Sequence, residues 1–337
     1  MARSSSKPPF KKQKSDGSEW RLYRFPRNFV VGNPVYLRSK SAKEKGKRAT
    51  VVGIDGVRLK ILLDENATEK SVLPKRILPI FQSLADQLVI VTGETIPYRH
   101  MASSQILSTD TVLEVGCSTG EASAILVRYA QKWLGFDTSS DMVEQCLAKL
   151  PRNPENDNVA RALKRDALAD PSEAKNAVTE TLGDAGPSVV FVDIGGNREL
   201  DGVLRMIDWC KQSFHPRLVV VKSRELEAAI QTANGVVVGD NGLIENCETW
   251  YKLRLEQLCK PKLPLHPLQA PMRLSPLNKD VPICRYHNYD VNGCKRHKDG
   301  ICSFDHDHCH LCLERGHTAL QCVLVKSDDE RKIEPSR

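Results

Sequence analysis

Apolar and polar residues alternate along part of the first quarter of the chain. Residues 57–63 (VRLKILL) place aliphatic side chains at alternate positions with basic side chains between them, which is the pattern of a half-buried β-strand. The Asp-Gly pair at 55–56 predicts a tight hairpin turn that joins this strand to another over 50–54. PVYLRSK (34–40) predicts an earlier strand. We therefore expect a small β domain over residues 19–84.

Residues 85–259 follow a different pattern, in which short apolar runs alternate with segments of helical period. The runs predict strands over 111–116, 132–137, 162–165, 188–193, 217–222, 235–239 and 248–254. Helical spacing predicts one helix through Ala122, Ile125, Leu126 and Tyr129, and a second through Met142, Val143, Cys146, Leu147 and Leu150. Ser139 or Ser140 is the expected N-cap of the second helix. This alternation predicts an α/β domain with a mostly parallel sheet, of which 111–116 is the first strand.

Composition sets three further segments apart. Residues 1–18 are basic and rich in serine and proline, so we expect a disordered tail, and its KPPFKKQK run can serve in nuclear import. Residues 260–282 contain six prolines and predict a semi-rigid linker, and 324–337 predict a second disordered tail. No apolar run of about 20 residues exists and no apolar segment follows Met1, so neither a membrane span nor a secretory signal is expected. We expect an intracellular protein, in the nucleus or the cytoplasm, with the nucleus favoured.

Positive charge is concentrated towards the N-terminus. The net charge of the chain is +7, and residues 1–84 carry 19 Lys and Arg against 7 Asp and Glu, a net of +12. The remainder of the chain therefore sums to −5. A basic surface of this kind fits a polyanion such as nucleic acid. A solvated basic tail is the alternative.

Cysteine and histidine are clustered near the C-terminus. Six of the eleven cysteines and six of the nine histidines fall between residues 284 and 322. Cysteines mixed with histidines at short spacing favour a metal site in a reducing compartment, whereas disulfides favour a secreted context that nothing else in the sequence supports.

The segment TVLEVGCSTG (111–120) fits two motifs. Residues 116–120 match G-x-S-x-G, the nucleophile elbow of serine hydrolases, and they also form a Gly-rich loop between a predicted strand and helix. The elbow requires several earlier strands and a late histidine, but here the strand is predicted to be the first, and His215 falls at the amino end of a strand. The dinucleotide motif G-x-G-x-x-G fits poorly too, because Glu121 replaces its third glycine.

The loop resembles motif I of the class I S-adenosylmethionine-dependent methyltransferases. The family pattern is acid-x-G-x-(G/S)-x-G at the end of the first strand, and this chain has Glu114, Gly116, Ser118 and Gly120 in those places. The resemblance implies a Rossmann-like fold with S-adenosylmethionine as cofactor, bound by these four residues. Glycines let the backbone approach the methionine part of the cofactor, whose carboxylate faces a helix N-terminus.

Three further positions continue this resemblance in the family's order, over about 150 residues. Asp137 lies 21 residues after Gly116 at the end of the second strand, where the family binds the ribose hydroxyls. Asp166, followed by Ala167, lies after the third strand, where the family binds the adenine amine. Asp193 ends the fourth strand, beside the site of methyl transfer.

The nature of the methyl acceptor is less defined. Ribosomal-RNA and cap 2′-O-methyltransferases carry a Lys–Asp–Lys–Glu tetrad, which Asp193, Lys222 and Glu248 match in part as candidate catalytic residues. The first lysine is missing, because the segment before motif I offers Arg99 and His100, and an arginine does not readily deprotonate. The adenine-amine pattern (N/D)PP(Y/F) and the Pro-Cys of cytosine C5 methylation are also missing. Methyl transfer to a 2′-hydroxyl is therefore one of several reactions that the sequence allows.

Two metal motifs lie in the C-terminal cluster. CHLCLERGHTALQC resembles a CCHC zinc knuckle, predicted over 308–323 with the ligands Cys309, Cys312, His317 and Cys322. The preceding segment, C-x9-C-x7-C-x3-H, resembles a CCCH zinc finger, predicted over 283–307 with the ligands Cys284, Cys294, Cys302 and His306. The first two gaps of the finger are longer than usual, so His287 or His297 is an alternative ligand. Such small modules depend on metal for their folding energy.

Zinc modules of these two types commonly bind single-stranded RNA by stacking bases on aromatic side chains, for which Tyr286, Tyr289 and Phe304 are the candidates. Residues 283–323 carry five Lys and Arg and five Asp and Glu, so attraction to the phosphate backbone is weak there. A purely structural or protein-binding zinc module is the alternative.

Taken together, these features predict an S-adenosylmethionine-dependent RNA methyltransferase with two structural zinc ions. The small β domain resembles the SH3-like barrels, of Tudor or KOW type, of RNA-processing proteins, although a structural spacer fits as well. The alternatives are a zinc-dependent RNA-binding protein with an inactive methyltransferase fold, and a protein methyltransferase.

Overall fold

The chain forms two compact units in a computed structural model that describes residues 18–23, 28–39, 45–81, 87–151, 160–194, 200–259 and 266–322. The first unit ends at Tyr251 and the second begins at Lys252. The import-like run and most of both predicted tails lie outside the described residues. Within the described ranges, no helix combines the length and apolarity that crossing a membrane requires.

The described strands, in chain order, are β1 (Ser18–Leu22), β2 (Pro34–Leu37), β3 (Lys47–Asp55), β4 (Arg58–Leu63), β5 (Glu69–Val72), β6 (Ile77–Pro79), β7 (Gln87–Thr92), β8 (Thr111–Val115), β9 (Lys132–Asp137), β10 (Ala160–Lys164), β11 (Val189–Val192), β12 (Leu218–Lys222), β13 (Val237–Val238) and β14 (Leu243–Glu245). The α-helices are α1 (Thr95–Ser104), α2 (Ser123–Tyr129), α3 (Ser140–Lys149), α4 (Pro171–Leu182), α5 (Leu200–Phe214), α6 (Arg224–Thr232), α7 (Cys247–Cys259), α8 (Arg285–Tyr289) and α9 (Lys295–Lys298). Short 3₁₀ turns cover Pro74–Arg76, Pro267–Gln269 and Ala319–Gln321.

The larger sheet has the order β10-β9-β8-β11-β12-β7-β1-β14-β13 in the described residues. Every pairing from β10 to β1 is parallel, and only β14 and β13 run antiparallel to their neighbours. The central strands β8, β11 and β12 consist mostly of valine, leucine and phenylalanine with successive side chains buried, so helices cover both faces. This is a Rossmann-like α/β fold, in which the strand order reverses between β8 and β11.

One face of this sheet carries a core built with α1, α2 and α3. Side chains of these helices, such as Met101, Leu126 and Cys146, pack with Phe191 and Val220 of the sheet. Ser139 caps α3 by accepting a hydrogen bond from the Met142 amide, which confirms the predicted cap. Leu147, predicted to lie on the apolar face of α3, is 44% exposed.

Two sequence predictions about this sheet are wrong. The motif strand β8 is not the first strand, because β1 and β7 precede it and extend the parallel sheet beyond β12. Residues 248–254, predicted as a strand, belong to helix α7. The segment is rich in Glu, Lys, Arg, Leu and Gln, which favour helix, and its buried residues Cys247, Tyr251 and Leu258 follow a helical spacing.

The smaller sheet is antiparallel, with the order β5-β4-β3-β2-β6, and includes the predicted 55–56 hairpin between β3 and β4. Its alternate side chains form a separate core that includes Val35, Val51 and Ile61. Residues 19–22, assigned to this domain from the sequence, instead pair in the larger sheet, where Trp20 is fully buried. The small β domain therefore begins later in the chain than the predicted residue 19.

The second unit is organised around Asn288, whose side chain is fully buried. Its Oδ1 accepts hydrogen bonds from the His310 and Ala319 amides at 2.8 and 2.9 Å, and its Nδ2 donates to the Cys284 and His308 carbonyls, both at 3.2 Å. Three of these four bonds, those to His308, His310 and Ala319, join the finger segment to the knuckle segment. The two predicted zinc modules are therefore parts of one folded body.

The described part of the predicted linker, residues 266–282, packs against these zinc modules. Ala270 is buried in a small core with Tyr289 and knuckle residues. Arg273 donates to the His310 and Leu311 carbonyls at 2.6 and 2.8 Å. Proline prevents regular secondary structure in this segment but does not prevent it from packing.

Candidate cofactor pocket and zinc centres

The loop after β8 lies at the point where the strand order of the larger sheet reverses. Gly116 and Gly120 adopt φ of 87° and 85°, and Ser118 adopts φ of 48°. A Cβ added to Gly116 would lie 2.2 Å from the Asp193 carbonyl oxygen, and one added to Gly120 would lie 2.9 Å from Cys146 Cα. Glycine is therefore required at both positions, by backbone conformation and by close approach.

Asp137 ties this loop to the end of β9. One of its carboxylate oxygens accepts a hydrogen bond from the Ser118 amide at 2.9 Å, and the other accepts one from the Ser139 amide at 3.0 Å. Both oxygens are held in fixed positions, and each keeps a further lone pair to accept a bond from a ligand.

Asp166 lies one strand further along the same edge of the sheet. Lys164, at the end of β10, pairs with Asp137, so Asp166 follows close to it. The Asp166 carboxylate accepts bonds from the Leu168 and Ala169 amides at 3.0 and 3.3 Å, which fix the turn. Ala167 is buried beside it.

These residues line a small, open pocket with a cavity volume of about 100 Å³. Its walls are Val115, Gly116, Phe136, Asp137, Thr138, Arg165, Asp166, Ala167, Asp193, Ile194 and Met206. The pocket therefore combines three aspartates with apolar surface, at the carboxyl ends of parallel strands, where ligands of this fold class bind.

Asp193 and Lys222 meet next to this pocket. Lys222 Nζ lies 2.6 Å from Asp193 Oδ2, and the two side chains are 25% and 24% exposed. The contact follows from the parallel pairing of β11 with β12, which ends both strands at the same edge. The pair can therefore present a hydrogen-bond donor and an acceptor side by side to a bound group.

Glu114 does not line the pocket. Its carboxylate is buried, where Oε2 accepts bonds from Ser123 Oγ at 2.7 Å and Trp133 Nε1 at 3.1 Å. Burial raises the pKa of this carboxyl group to about 8, and the bonds from Ser123 and Trp133 only partly offset the effect. The described geometry gives Glu114 a supporting position beneath the loop instead of the predicted contact with cofactor.

Glu248 lies away from Asp193 and Lys222. It is in the first turn of α7, which begins shortly after β14. Strands β1 and β7 run parallel to β12, and β14 runs antiparallel to them. The end of β14, where α7 begins, therefore lies at the amino ends of the parallel strands, whereas Lys222 lies at the carboxyl end of β12. The fourth member of the predicted tetrad is therefore not assembled, since the strand that was to carry it does not form.

The hydrolase interpretation gains no support from Ser118. The existence of β1 and β7 removes one argument against it, but the Ser118 hydroxyl faces Met142 Sδ at 4.0 Å. Among the described residues, no histidine lines the pocket. A nucleophilic serine needs a base within hydrogen-bond reach.

Three residues at or near the pocket were not predicted from the sequence. Arg165 and Met206 line the pocket, and Tyr98 of α1 is buried with its ring against that of Phe191 on β11. Burial raises the pKa of Tyr98, and the charges of Glu114 and Asp193 raise it further. The helical spacing of apolar residues in 95–104 would have predicted α1, but no motif marks Tyr98.

The predicted zinc ligands assemble as two groups of four. In each group the candidate donor atoms all lie within 4.8 Å of one another, and the groups are Cys284, Cys294, Cys302 and His306, and Cys309, Cys312, His317 and Cys322. His297 stacks on His306 with ring centroids 3.9 Å apart but belongs to neither group. The alternative ligands His287 and His297 are therefore not needed.

The donor sets fit zinc. Three thiols and one imidazole per group are the ligands of closed, structural zinc sites. His306 Nε2 is buried and has no hydrogen-bond partner among the described residues, as expected of an atom that binds a metal. Burial raises the pKa of Cys284 to about 12 and that of Cys309 to about 11, so metal binding must displace protons from these thiols.

The three aromatic residues proposed for base stacking differ in exposure. Tyr286 and Phe304 are 39% and 45% exposed. Tyr289 is buried and its hydroxyl lies 2.9 Å from His310 Nδ1, so it is not available for stacking.

No protein-family model matches the chain, and no curated protein matches it. Among solved structures, the chain is similar to the tRNA (m1A58) methyltransferase TrmI from Aquifex aeolicus, with 12% sequence identity, a TM-score of 0.26, and coverage of 62% of this chain and 83% of that chain. The assignment of a Rossmann-like fold therefore rests on the strand order and the loop geometry described above.

Proposed function

We propose that this protein is an S-adenosylmethionine-dependent methyltransferase that acts on RNA. The observation that carries the proposal is the convergence of Asp137, Asp166 and Asp193 on one pocket, beside a Gly-rich loop at the switch point of the sheet. The sequence order of these positions matches the class I methyltransferases. When bound, S-adenosylmethionine supplies an electrophilic methyl group on its sulfonium.

The residues around the pocket have distinct proposed roles. Backbone groups of Gly116, Ser118 and Gly120 accommodate the methionine part of the cofactor, and a side chain is excluded at both glycines. Asp137 accepts hydrogen bonds from the ribose hydroxyls with an orientation fixed by its two backbone donors. Asp166 and the small Ala167 hold the adenine edge. This division gives each part of the cofactor a separate set of contacts.

Asp193 and Lys222 are proposed to hold the methyl acceptor. The carboxylate can accept the proton of a hydroxyl group, while the Lys222 ammonium donates to the acceptor oxygen and counters negative charge. Glu248 has no part in this arrangement. A 2′-hydroxyl of RNA is the acceptor that suits such a donor–acceptor pair best.

The second unit is proposed to bind single-stranded RNA. Tyr286 and Phe304 expose aromatic surface for base stacking. The zinc ions are structural in this proposal, because four protein donors leave no open position for substrate.

The first experiment is transfer of tritiated methyl from S-adenosylmethionine to total cellular RNA by the full-length protein. We expect RNase-sensitive label with wild type and its loss in Asp137→Ala, because that change removes the proposed ribose contact. Asp170→Asn is the matched control: Asp170 caps α4 outside the pocket, and asparagine caps equally well. Nucleoside analysis of the labelled RNA then distinguishes ribose from base methylation.

Two results would redirect the proposal. Label that persists in protein after RNase treatment would indicate a protein methyltransferase. An absence of label together with an absence of cofactor binding would leave a zinc-dependent RNA-binding protein with an inactive methyltransferase fold.

A further inference from the structure

Four basic residues lie together at one end of the smaller sheet. Arg38 follows β2, Lys75 and Arg76 form the 3₁₀ turn before β6, and Lys45 precedes β3. The pairing of β2 with β6 brings the first three together. The Arg38 amide donates to the Arg76 carbonyl at 2.9 Å, and the Arg76 guanidinium donates to the Arg38 carbonyl. We call Arg38, Lys45, Lys75 and Arg76 the cationic patch.

The cationic patch lacks compensating acidic groups. Among the described residues, none of its four members forms an ion pair with a carboxylate, and Arg38, Lys45 and Lys75 are exposed. Lys45 Nζ instead lies 5.3 Å from the centre of the Tyr129 ring. Lys47, by contrast, is paired with Glu65 on the same sheet. Uncompensated like charges repel one another, so a surface that keeps them together favours an anionic partner.

Helix α1 connects the cationic patch with the cofactor loop. Burial lowers the pKa of His100 on α1, and the nearby charge of Arg38 lowers it further. The next residue back, Arg99, lies 4.0 Å from Glu121, which directly follows Gly120 of the loop. Two adjacent residues of α1 therefore lie near the patch and near the loop after β8, respectively.

The smaller sheet is attached firmly to this helix layer. Tyr36 and Tyr129 share a hydroxyl–hydroxyl hydrogen bond of 2.6 Å, and Arg48 donates to the Ser104 carbonyl at 3.2 Å. Both contacts lie within the first unit, so the distance from patch to pocket is fixed by the fold. A ligand that spans both would meet a rigid surface.

We propose that the cationic patch is a docking surface for the phosphate backbone of the RNA substrate, and that α1 guides the strand from the patch to the pocket. The inference rests on the proposed function and extends it to the length of the substrate. An RNA that contacts both the patch and the pocket must extend beyond the reacting nucleotide. The smaller sheet is then a substrate-binding element and not a spacer.

A matched pair of double variants tests this surface. Arg38→Glu with Lys75→Glu reverses two charges of the patch, and Lys60→Glu with Lys70→Glu makes the same charge change on β4 and β5, at the other end of the sheet. Binding of a fluorescent single-stranded RNA to the full-length zinc-bound protein is measured at several salt concentrations. We expect the patch variant to bind about tenfold more weakly, with a salt slope smaller by about 1.4, since each single-strand phosphate contact contributes about 0.7. The control should keep the wild-type slope.

The outcomes separate the docking surface from the enzyme activity. Equal losses in the two double variants would overturn the inference, because net charge alone would then explain them. If wild type methylates RNA and the patch variant keeps its KM, the inference is wrong while the proposed function stands. If wild type methylates nothing but only the patch variant loses affinity, the docking surface stands without the enzyme. The double variant Arg38→Gln with Lys75→Gln removes the same two charges without reversing them. Its melting temperature is compared with that of wild type as a control for misfolding.

Discussion

The pocket and the zinc unit differ in what keeps their functional side chains in place. The pocket lies at the carboxyl ends of central strands that are mostly buried, so its loop and aspartates are positioned by a core that needs no ligand. In the zinc unit, the small core of Ala270, Tyr289 and Ala319 also contains the ligands Cys309 and Cys322. The ligands and the core are therefore partly the same residues.

This difference implies different responses to the loss of a bound group. The first unit should keep its fold without cofactor, because strand pairing and helix packing supply its stability. The second unit has little apolar surface to bury and should lose its fold without metal. Asn288 links its two halves, so damage at one zinc site should reach the other.

Zinc removal is expected to have the largest effect. A strong chelator should unfold the second unit and expose residues 266–322 to protease, while the first unit melts at an unchanged temperature. Cys302→Ser should lower the zinc content, measured by elemental analysis, from about two ions per chain, because structural zinc sites need four protein ligands.

His297→Ala is the control for that prediction, since His297 stacks on His306 without belonging to either ligand group. It should retain both ions. Loss of zinc in this variant would show that His297 is a ligand and that the assigned set is incorrect.

The next largest effect is expected at the cofactor loop. Gly116→Ala combines a left-handed backbone with a Cβ placed 2.2 Å from the Asp193 carbonyl oxygen, and should cost about 3–4 kcal/mol of folding free energy and abolish cofactor binding. Gly235→Ala has a similar φ of 79° but meets no atom within 4 Å, so it should cost only about 1–2 kcal/mol. Denaturant unfolding and calorimetric cofactor titration measure both. Equal costs would mean that the loop can move away from Asp193.

Local motifs made some of these features predictable from the sequence. Zinc ligands depend on spacing within about 40 residues, and all eight predicted ligands assemble in the two groups. The hairpin at 55–56 and the cap at Ser139 also follow from nearest neighbours in the chain. The resemblance to class I methyltransferases pointed to Asp137, Asp166 and Asp193, and all three line one pocket even though β1 and β7 were not predicted.

Features that depend on distant pairing were not predictable. Nothing in SEWRL (18–22) shows that this strand pairs with β7 and not with the smaller sheet. The predicted place of Glu248 is wrong because Tyr251, Leu253 and Leu255 occupy alternate positions, which suggests a strand. Burial of Cys247, Tyr251 and Leu258 instead stabilises a helix. The burial of Glu114 likewise follows from Ser123 and Trp133, which no motif identifies.

An intermediate effect is expected where the two zinc segments meet. Asn288→Ala removes four hydrogen bonds and leaves the His310 and Ala319 amides without their partner, which should cost about 2–3 kcal/mol. Both zinc ions should be released to a colorimetric chelator more readily than from wild type. Asn292→Ala, at an exposed position, is the control and should release zinc at the wild-type rate. Faster release of one ion alone would show that the two sites are independent.

The smallest effect is expected beneath the cofactor loop, at Glu114. Because its folded-state pKa is about 8, the carboxyl group is mostly protonated at neutral pH, and glutamine is a close substitute that keeps an acceptor for Ser123 and Trp133. Glu114→Gln should change the free energy of unfolding by less than about 1 kcal/mol at pH 4, where the wild-type carboxyl group is mostly protonated in both the folded and the unfolded state. A raised pKa in the folded state stabilises the protein below the unfolded-state value of 4.5, and this contribution is lost as the pH rises through about 8. The melting temperature of wild type should therefore fall relative to that of the variant between pH 6 and pH 9, and parallel curves would show that Glu114 is already ionised in the folded protein.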